Sequence, residues 1–309
     1  MFLARTVQDI LQNIEDDTEI IVGLDGVNDK SEILNDSHVT VIYVSESIGQ
    51  RAMTNLCVKL SKAKYIMKVD AHCAFDKGFD RKMINRMKDN WTIVPTMRNL
   101  WAYDWKCNKC GWKKYQGPTP TVCPDCDCTK KLRRKMMWIG KLKPQSNSYC
   151  FDQEPHFQYF NEYTKRDEYK KMLNDTGLTE TMSLQGSCFM LTRDKYWELN
   201  ICDEELGSWG SQGIEVACKT WLSGGRVIVN HDTWYAHMFR TQGGDFGFPY
   251  HQSGTKVQQA KQIVREIFFD NKWNKQIKPL SWLIEKFWPV PGWEEDARQK
   301  LKNWPLNNK

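Results

Sequence analysis

The stretch KYIMKVDAHC, Lys64–Cys73, is a short apolar run closed by an aspartate and a histidine. The run reads as a buried strand. In extended backbone, residues i and i+2 project to the same side, so Asp70 and His72 are expected to face one ion. A carboxylate with an imidazole suits a divalent transition metal such as Mn²⁺, with Mg²⁺ as the alternative. Ca²⁺ prefers an all-oxygen shell. A metal at a strand end can neutralise a diphosphate leaving group. By itself the Asp-x-His pair reads more readily as capping or surface polarity than as a metal site.

Outward from this stretch, strands alternate with helices. ARTVQDILQNI (Ala4–Ile14) has helical spacing, with Val7, Ile10, Leu11 and Ile14 on one face. TEIIVGLDG and HVTVIYVS read as strands. QRAMTNLCVKLSKA reads as a helix with Leu56, Leu60 and Ala63 near one face, and GFDRKMINRMKDN as another. Downstream, GLTETMSLQGSCFMLTRDKYWEL returns to strand and helix. GIEVACKTWLSGGRVIVN reads as helix, glycine stop and strand. This alternation predicts an α/β fold with a largely parallel sheet, whose ligands sit beyond the carboxyl ends of the strands. Asp25 and Asp70 both fall at that edge.

Composition sets the outer bounds. Of 309 residues, 27% are charged and 40% hydrophobic, which describes a folded chain with ample core. The net charge of +6 is modest, so its location matters more than its size. No apolar run is long enough to span a bilayer, and the start does not resemble a secretion signal. Eleven cysteines in such a chain argue for metal ligands and buried thiols rather than a disulfide scaffold.

The segment GQRAMTNLCVKLSKAKYIMKVDAHCAFDKGFD resembles the donor half of family-2-like glycosyltransferases of the GT-A fold. It is most similar to the polypeptide N-acetylgalactosaminyltransferases, which carry Asp-x-His where relatives carry Asp-x-Asp. LQGSCFMLTRDKYWELNICDEELGSWGSQGIEVACKTWLSGG and NHDTWYAHMFR resemble the downstream blocks of that family. The likeness covers roughly residues 5–100 and 183–250. It implies a GT-A fold in which Asp70, His72 and His237 hold Mn²⁺ against the diphosphate of a nucleotide sugar linked to UDP. It also implies that Asp25, at the second aspartate of a family Asp-Asp pair, contacts the nucleoside, with Leu24 replacing the first. Arg51 falls at a basic position on the donor side. Gly186 and Ser187 occupy a Gly-Gly position where backbone approaches the donor sugar. Trp209 offers an apolar face to a sugar ring, and Arg240 reaches the diphosphate. Without the resemblance, Trp209 reads as core packing and the two arginines as surface ion pairs.

The pattern breaks in two places. Gln212 stands where the family has Glu, and Gln212-Gly213 replaces the acid pair that supplies the base in inverting relatives. Glu215, one helical turn on, is the substitute candidate. Without a base, a retaining reaction fits better. The chain also starts after the family's first strand, so part of the nucleoside pocket is expected to be missing or supplied by another segment.

Between Trp101 and Cys150 the character changes. CNKCGWKKYQGPTPTVCPDCDC gives two C-x₂-C knuckles, a zinc-ribbon signature, with Cys107, Cys110, Cys123 and Cys126 as ligands and Cys128 as an alternative to Cys126. Eleven Lys and Arg against three Asp lie between Trp101 and Lys143, interleaved with Trp101, Trp105, Trp112, Tyr115 and Trp138. Charge for phosphate and planes for bases is what a nucleic-acid surface needs, although a solvated ribbon bracing the acceptor side explains the charge equally. The expected organisation is a nucleotide-sugar half (1–100), a zinc-ribbon insertion (101–150), an acceptor half (151–250) and a Trp-rich helical extension (251–309). The expected protein is a cytoplasmic glycosyltransferase of bacterial or phage type, because the family's membrane anchor and lectin domain are not in the sequence. Its expected acceptor is DNA with hydroxymethylated bases. A protein or glycan hydroxyl is the alternative, and a nucleic-acid-binding module on a degenerate transferase is the non-enzyme reading.

Overall fold

The computed structural model describes residues 2–27, 33, 35–239 and 254–302. Helix α1 (Phe2–Asn13) buries Val7 and Ile10 of the expected stripe. Strands β1 (Ile20–Asp25) and β2 (Val39–Val44) pair in parallel as a sheet of their own. Helix α2 (Gln50–Leu60) leads to β3 (Tyr65–Val69), which delivers Asp70. A turn through Ala71 and His72 then opens β4 (Cys73–Phe75), and α3 (Phe79–Ile84) follows. Strand β5 (Trp91–Cys107) crosses residue 100 without a break, and β6 (Lys113–Tyr115) and β7 (Leu132–Ser146) fold back on it. Strands β8 (Tyr149–Phe151) and β9 (Phe157–Tyr159) form a small antiparallel pair. Then come α4 (Asp167–Thr176), β10 (Leu178–Glu180), β11 (Cys188–Thr192), α5 (Arg193–Glu198), α6 (Gln212–Leu222) and β12 (Arg226–His237). Helices α7 (Gly254–Val264), α8 (Leu280–Phe287) and α9 (Glu295–Lys302) close the described chain. The NWPLNNK tail lies outside the described residues.

The main sheet runs β10-β12-β5-β11-β3, with β4 added on β12 and β6 and β7 on β5. It is mixed, which corrects the expectation of a largely parallel sheet. β12 and β5 are parallel, but β11 enters antiparallel between β5 and β3. No strand is hydrogen-bonded between β1 and β3 among the described residues.

Helix α2 corrects a second expectation. Its buried face is Arg51, Met53, Asn55 and Val58, while Leu60 is half exposed. A polar network explains the reversal: Arg51 and Asn55 reach into the core for partners on the segment before α6. The largest apolar cluster joins Phe189, Trp221 and Val227 to Leu280, Leu283, Ile284 and Phe287. The C-terminal helices are thus part of the core behind α6 and β12.

Candidate functional site

Asp70, His72 and His237 come from three places and meet at one sheet edge. Asp70 follows β3, and its N–H donates to the Ser187 carbonyl at 2.9 Å. His72 lies in the turn after it, not on a strand, so strand alternation does not place it. His237 ends β12, in register with Cys73 of β4, and the next N–H, of Met238, donates to the His72 carbonyl at 3.1 Å. His72 Nε2 and His237 Nε2 stand 3.0 Å apart, and His237 Nε2 is 3.3 Å from Asp70 Oδ2. Ligand atoms held at right angles about 2.1 Å from an ion are separated by about 3 Å, so this set fits one divalent cation. The His237 Nδ1 is buried without a partner among the described residues, so Nε2 is the engaged nitrogen.

Lys68, which the sequence reading passed over, completes this cluster. It shares a face with Asp70 by strand alternation. Its ammonium bonds to Asp70 Oδ1 and donates to the Gly186 carbonyl at 2.8 Å. Desolvation pushes the Asp70 carboxyl up, and Lys68 followed by the two histidines more than reverses it, leaving the group well below the usual carboxylate range.

Gly186 and Ser187 lie beside Asp70. Ser187 turns its hydroxyl inward to Tyr235 at 2.8 Å, so only its backbone borders the site. Gln212 packs on Gly186: a Cβ at 186 would lie 3.3 Å from the Gln212 side chain. Gln212 itself accepts from Gln50 Nε2 and donates to Cys202 Sγ. A Cβ at Gly213 would fall 1.9 Å from the Leu184 carbonyl oxygen. The position that holds an acid in inverting relatives therefore tolerates only glycine here. Trp209 is half-buried on the same segment.

Three expected roles need correction or relocation. Arg51 is fully enclosed, bonded to Glu215 at 3.1 Å and to the Gly207 and Gly210 carbonyls, so its charge does not reach a donor. Glu215 is equally enclosed, between Arg51, Lys219 and the Asp203 N–H, so it is not an available base. Asp25 accepts from Ser47 Oγ and the N–H groups of Ile48 and Gly49, so its carboxylate shapes the loop ahead of α2. Arg240 lies outside the described residues.

The sulfurs of Cys107, Cys110, Cys123 and Cys126 lie within 4.8 Å of one another at the tip of the β5–β7 hairpin. Two of the separations are 3.7 and 3.5 Å. Zn–S bonds of about 2.3 Å in a tetrahedron put sulfurs about 3.8 Å apart. The N–H groups of Cys110 and then Lys109 point at the Cys107 sulfur and, against burial, bring that thiol down to about 6. Cys128 is outside the cluster. Cys73, Cys188 and Cys218 are buried thiols pushed up by desolvation.

The basic residues of the hairpin are exposed except Lys106 and Arg134, but its aromatics are mostly not. Tyr103, Trp105 and Trp138 form a core with Ala236 and Met238, and Arg134 covers Tyr103 and Trp105 at 5.0 Å. Of the interleaved rings only Tyr115 is exposed, at 41%.

Residues 2–199 match the profile of Glycosyl transferase family 2. The chain belongs to this family. Within it, the chain is 28% identical over 234 residues to a Caenorhabditis elegans protein named probable N-acetylgalactosaminyltransferase 6, covering 75% of this chain and 32% of that one. Polypeptide N-acetylgalactosaminyltransferase 3 of Taeniopygia guttata is 26% identical over 282 residues, 87% of this chain and 40% of the relative. This family 2 chain thus spans about a third to two-fifths of these relatives. The solved structure of GalNAc-T7 with UDP, GalNAc and Mn²⁺ superposes with a TM-score of 0.66 at 16% identity, covering 99% of this chain and 55% of that one. That likeness shows the fold to be GT-A.

Proposed function

We propose that this family 2 chain moves a sugar from a UDP-linked donor to a hydroxyl acceptor, with Asp70, His72 and His237 as the ligands of a Mn²⁺ or Mg²⁺ ion. The observation that carries the reading is the meeting of these three side chains beside the Gly186 backbone. The UDP and Mn²⁺ of the GalNAc-T7 structure support the choice of donor and metal. A cation held there would offset charge on the departing diphosphate. Gly186 and Ser187 present backbone to the donor sugar, Trp209 offers it a ring face, and Asp25 holds the loop that borders the nucleoside.

The reaction is retaining. Gln212 is an amide, position 213 is closed to side chains, and Glu215 is sealed in an ion pair. With no protein base at this helix, the acceptor's proton passes to the phosphate oxygen that leaves. The bond from that oxygen to the sugar's anomeric carbon breaks, and the acceptor oxygen bonds on the same face.

DNA bearing hydroxymethylated bases is the proposed acceptor, and the exposed basic hairpin supports it. Stacking does not, because the hairpin's large rings are mostly buried. A Ser/Thr hydroxyl of a polypeptide is the second reading, favoured by the names of the relatives. The four-cysteine cluster is proposed to hold structural Zn²⁺, since a closed thiolate set has no open position. A reducing, cytoplasmic setting is proposed with it, because thiolate ligation of zinc requires reduced cysteines. No helix among the described residues is long and apolar enough to cross a membrane.

A donor screen tests the proposal: nucleotide release with Mn²⁺, followed by transfer of labelled sugar to hydroxymethylated DNA, unmodified DNA and a Ser/Thr peptide. Label on hydroxymethylated DNA alone, with binding that weakens steeply as salt rises, supports the first acceptor. Label on peptide alone selects the second. Salt-dependent DNA binding without turnover of any donor leaves a binding module.

A further inference from the structure

Lys68 does more than fill space beside the proposed metal ligands. Its side chain is 8% exposed, and its ammonium is committed to Asp70 Oδ1 and the Gly186 carbonyl. A buried ammonium persists only where partners compensate it. Here the compensation comes from the one carboxylate of the cluster. The pairing splits the work of Asp70: Oδ1 belongs to Lys68, and Oδ2 faces His237 Nε2 at 3.3 Å. Asp70 is thereby set to offer a cation a single oxygen.

The pairing also changes the charge of the site. Asp70 with two neutral imidazoles carries one negative charge, and Lys68 cancels it. A divalent cation at these ligands is therefore held by their lone pairs with little net charge to attract it. A nucleotide diphosphate brings the missing negative charge, and Lys68 retains one N–H with no acceptor among the described residues to meet a phosphate oxygen. The bond to Gly186 ties the same ammonium to the backbone that borders the donor sugar.

We propose that Lys68 is a positioning residue that weakens cation binding at this site in the absence of nucleotide, and so enlarges the affinity that the nucleotide diphosphate adds. This rests on the assignment of Asp70, His72 and His237 as metal ligands. Linkage is reciprocal, so whatever UDP adds to cation affinity, the cation adds to UDP affinity.

The test is Mn²⁺ binding followed by electron paramagnetic resonance, without and with UDP, in the wild type, Lys68→Met and Lys68→Arg. The wild type is expected to bind Mn²⁺ at least tenfold more tightly when UDP is present. Lys68→Met is expected to bind Mn²⁺ alone more tightly than the wild type and to gain less than threefold from UDP. Lys68→Arg, which keeps the charge, is expected to retain most of the wild-type gain. If Lys68→Met does not give a cooperative melt, Lys68→Gln replaces it. Equal Mn²⁺ affinities for wild type and the neutral variant, with and without UDP, overturn the role of Lys68 while leaving the metal site standing. Absence of Mn²⁺ binding by either protein in both conditions overturns the ligand assignment, and this proposal with it.

Discussion

Single residues here often do a different job from the one their type advertises. Glu215 and Arg51 look like catalytic material in sequence, but with Lys219 and Asp203 they form a buried, charge-balanced quartet that binds α2 to α6. Breaking a buried pair by removing one partner leaves an uncompensated charge. Glu215→Ala is therefore expected to cost about 3–5 kcal/mol in denaturant unfolding; a loss below about 1 kcal/mol contradicts the bracing role. His231 gives a pH signature. Desolvation, only partly opposed by Asp232, lowers its pKa to about 4, and its Nε2 bonds to Thr179 Oγ1 at 2.8 Å. The unfolded chain takes up this proton near pH 6.5 and the folded one only near 4, so the stability it contributes is present above 6.5 and lost as pH falls between those values. Between pH 7 and pH 5 the loss is on the order of 2 kcal/mol. Melts at pH 7 and 5 on wild type and His231→Gln measure it, and an unchanged pH slope in the variant counts against it. Lys68 is legible by the i, i+2 alternation back along β3 from Asp70, whereas forward of Asp70 the chain turns and the alternation ends.

At the scale of elements, α1 and the strands leading to Asp70 were legible because their apolar periods are clean, whereas α2 was legible as a helix but not in the face it buries. What was not legible came from long-range pairing. No local pattern in CFMLT announces that β11 enters antiparallel between β3 and β5. Nor does the spacing of tryptophans in the hairpin show that Trp105 and Trp138 turn inward, Trp105 under Arg134 and Trp138 under Arg5. The cysteine knuckles were readable because ligand spacing is local chemistry, and the hairpin brings together the four sulfurs that spacing picked out. One zinc per chain is expected to survive dialysis, since four-thiolate ligation is strong. Stripping it with a strong chelator under reducing conditions should open the hairpin tip to protease between residues 107 and 132 while the main melt persists. Zinc-free protein with a protected hairpin contradicts the assignment.

For the molecule as a whole, the sheet matters because it gathers Asp70, His72 and His237 from positions up to 167 residues apart. Resemblance named those residues, and the register of β12 against β4 is the physical reason they meet. This edge is the proposed metal-dependent sugar-transfer site. The most direct measurement is nucleotide release from the donor that the screen selects, against Mn²⁺ concentration, for wild type and for Asp70→Ala, His72→Ala and His237→Ala. Release is expected to rise with Mn²⁺ in the wild type and to fall by at least about 100-fold in each variant, with melting curves within a few degrees of wild type. Release that is indifferent to Mn²⁺, or that persists at wild-type rate in any of the three variants, contradicts this assignment.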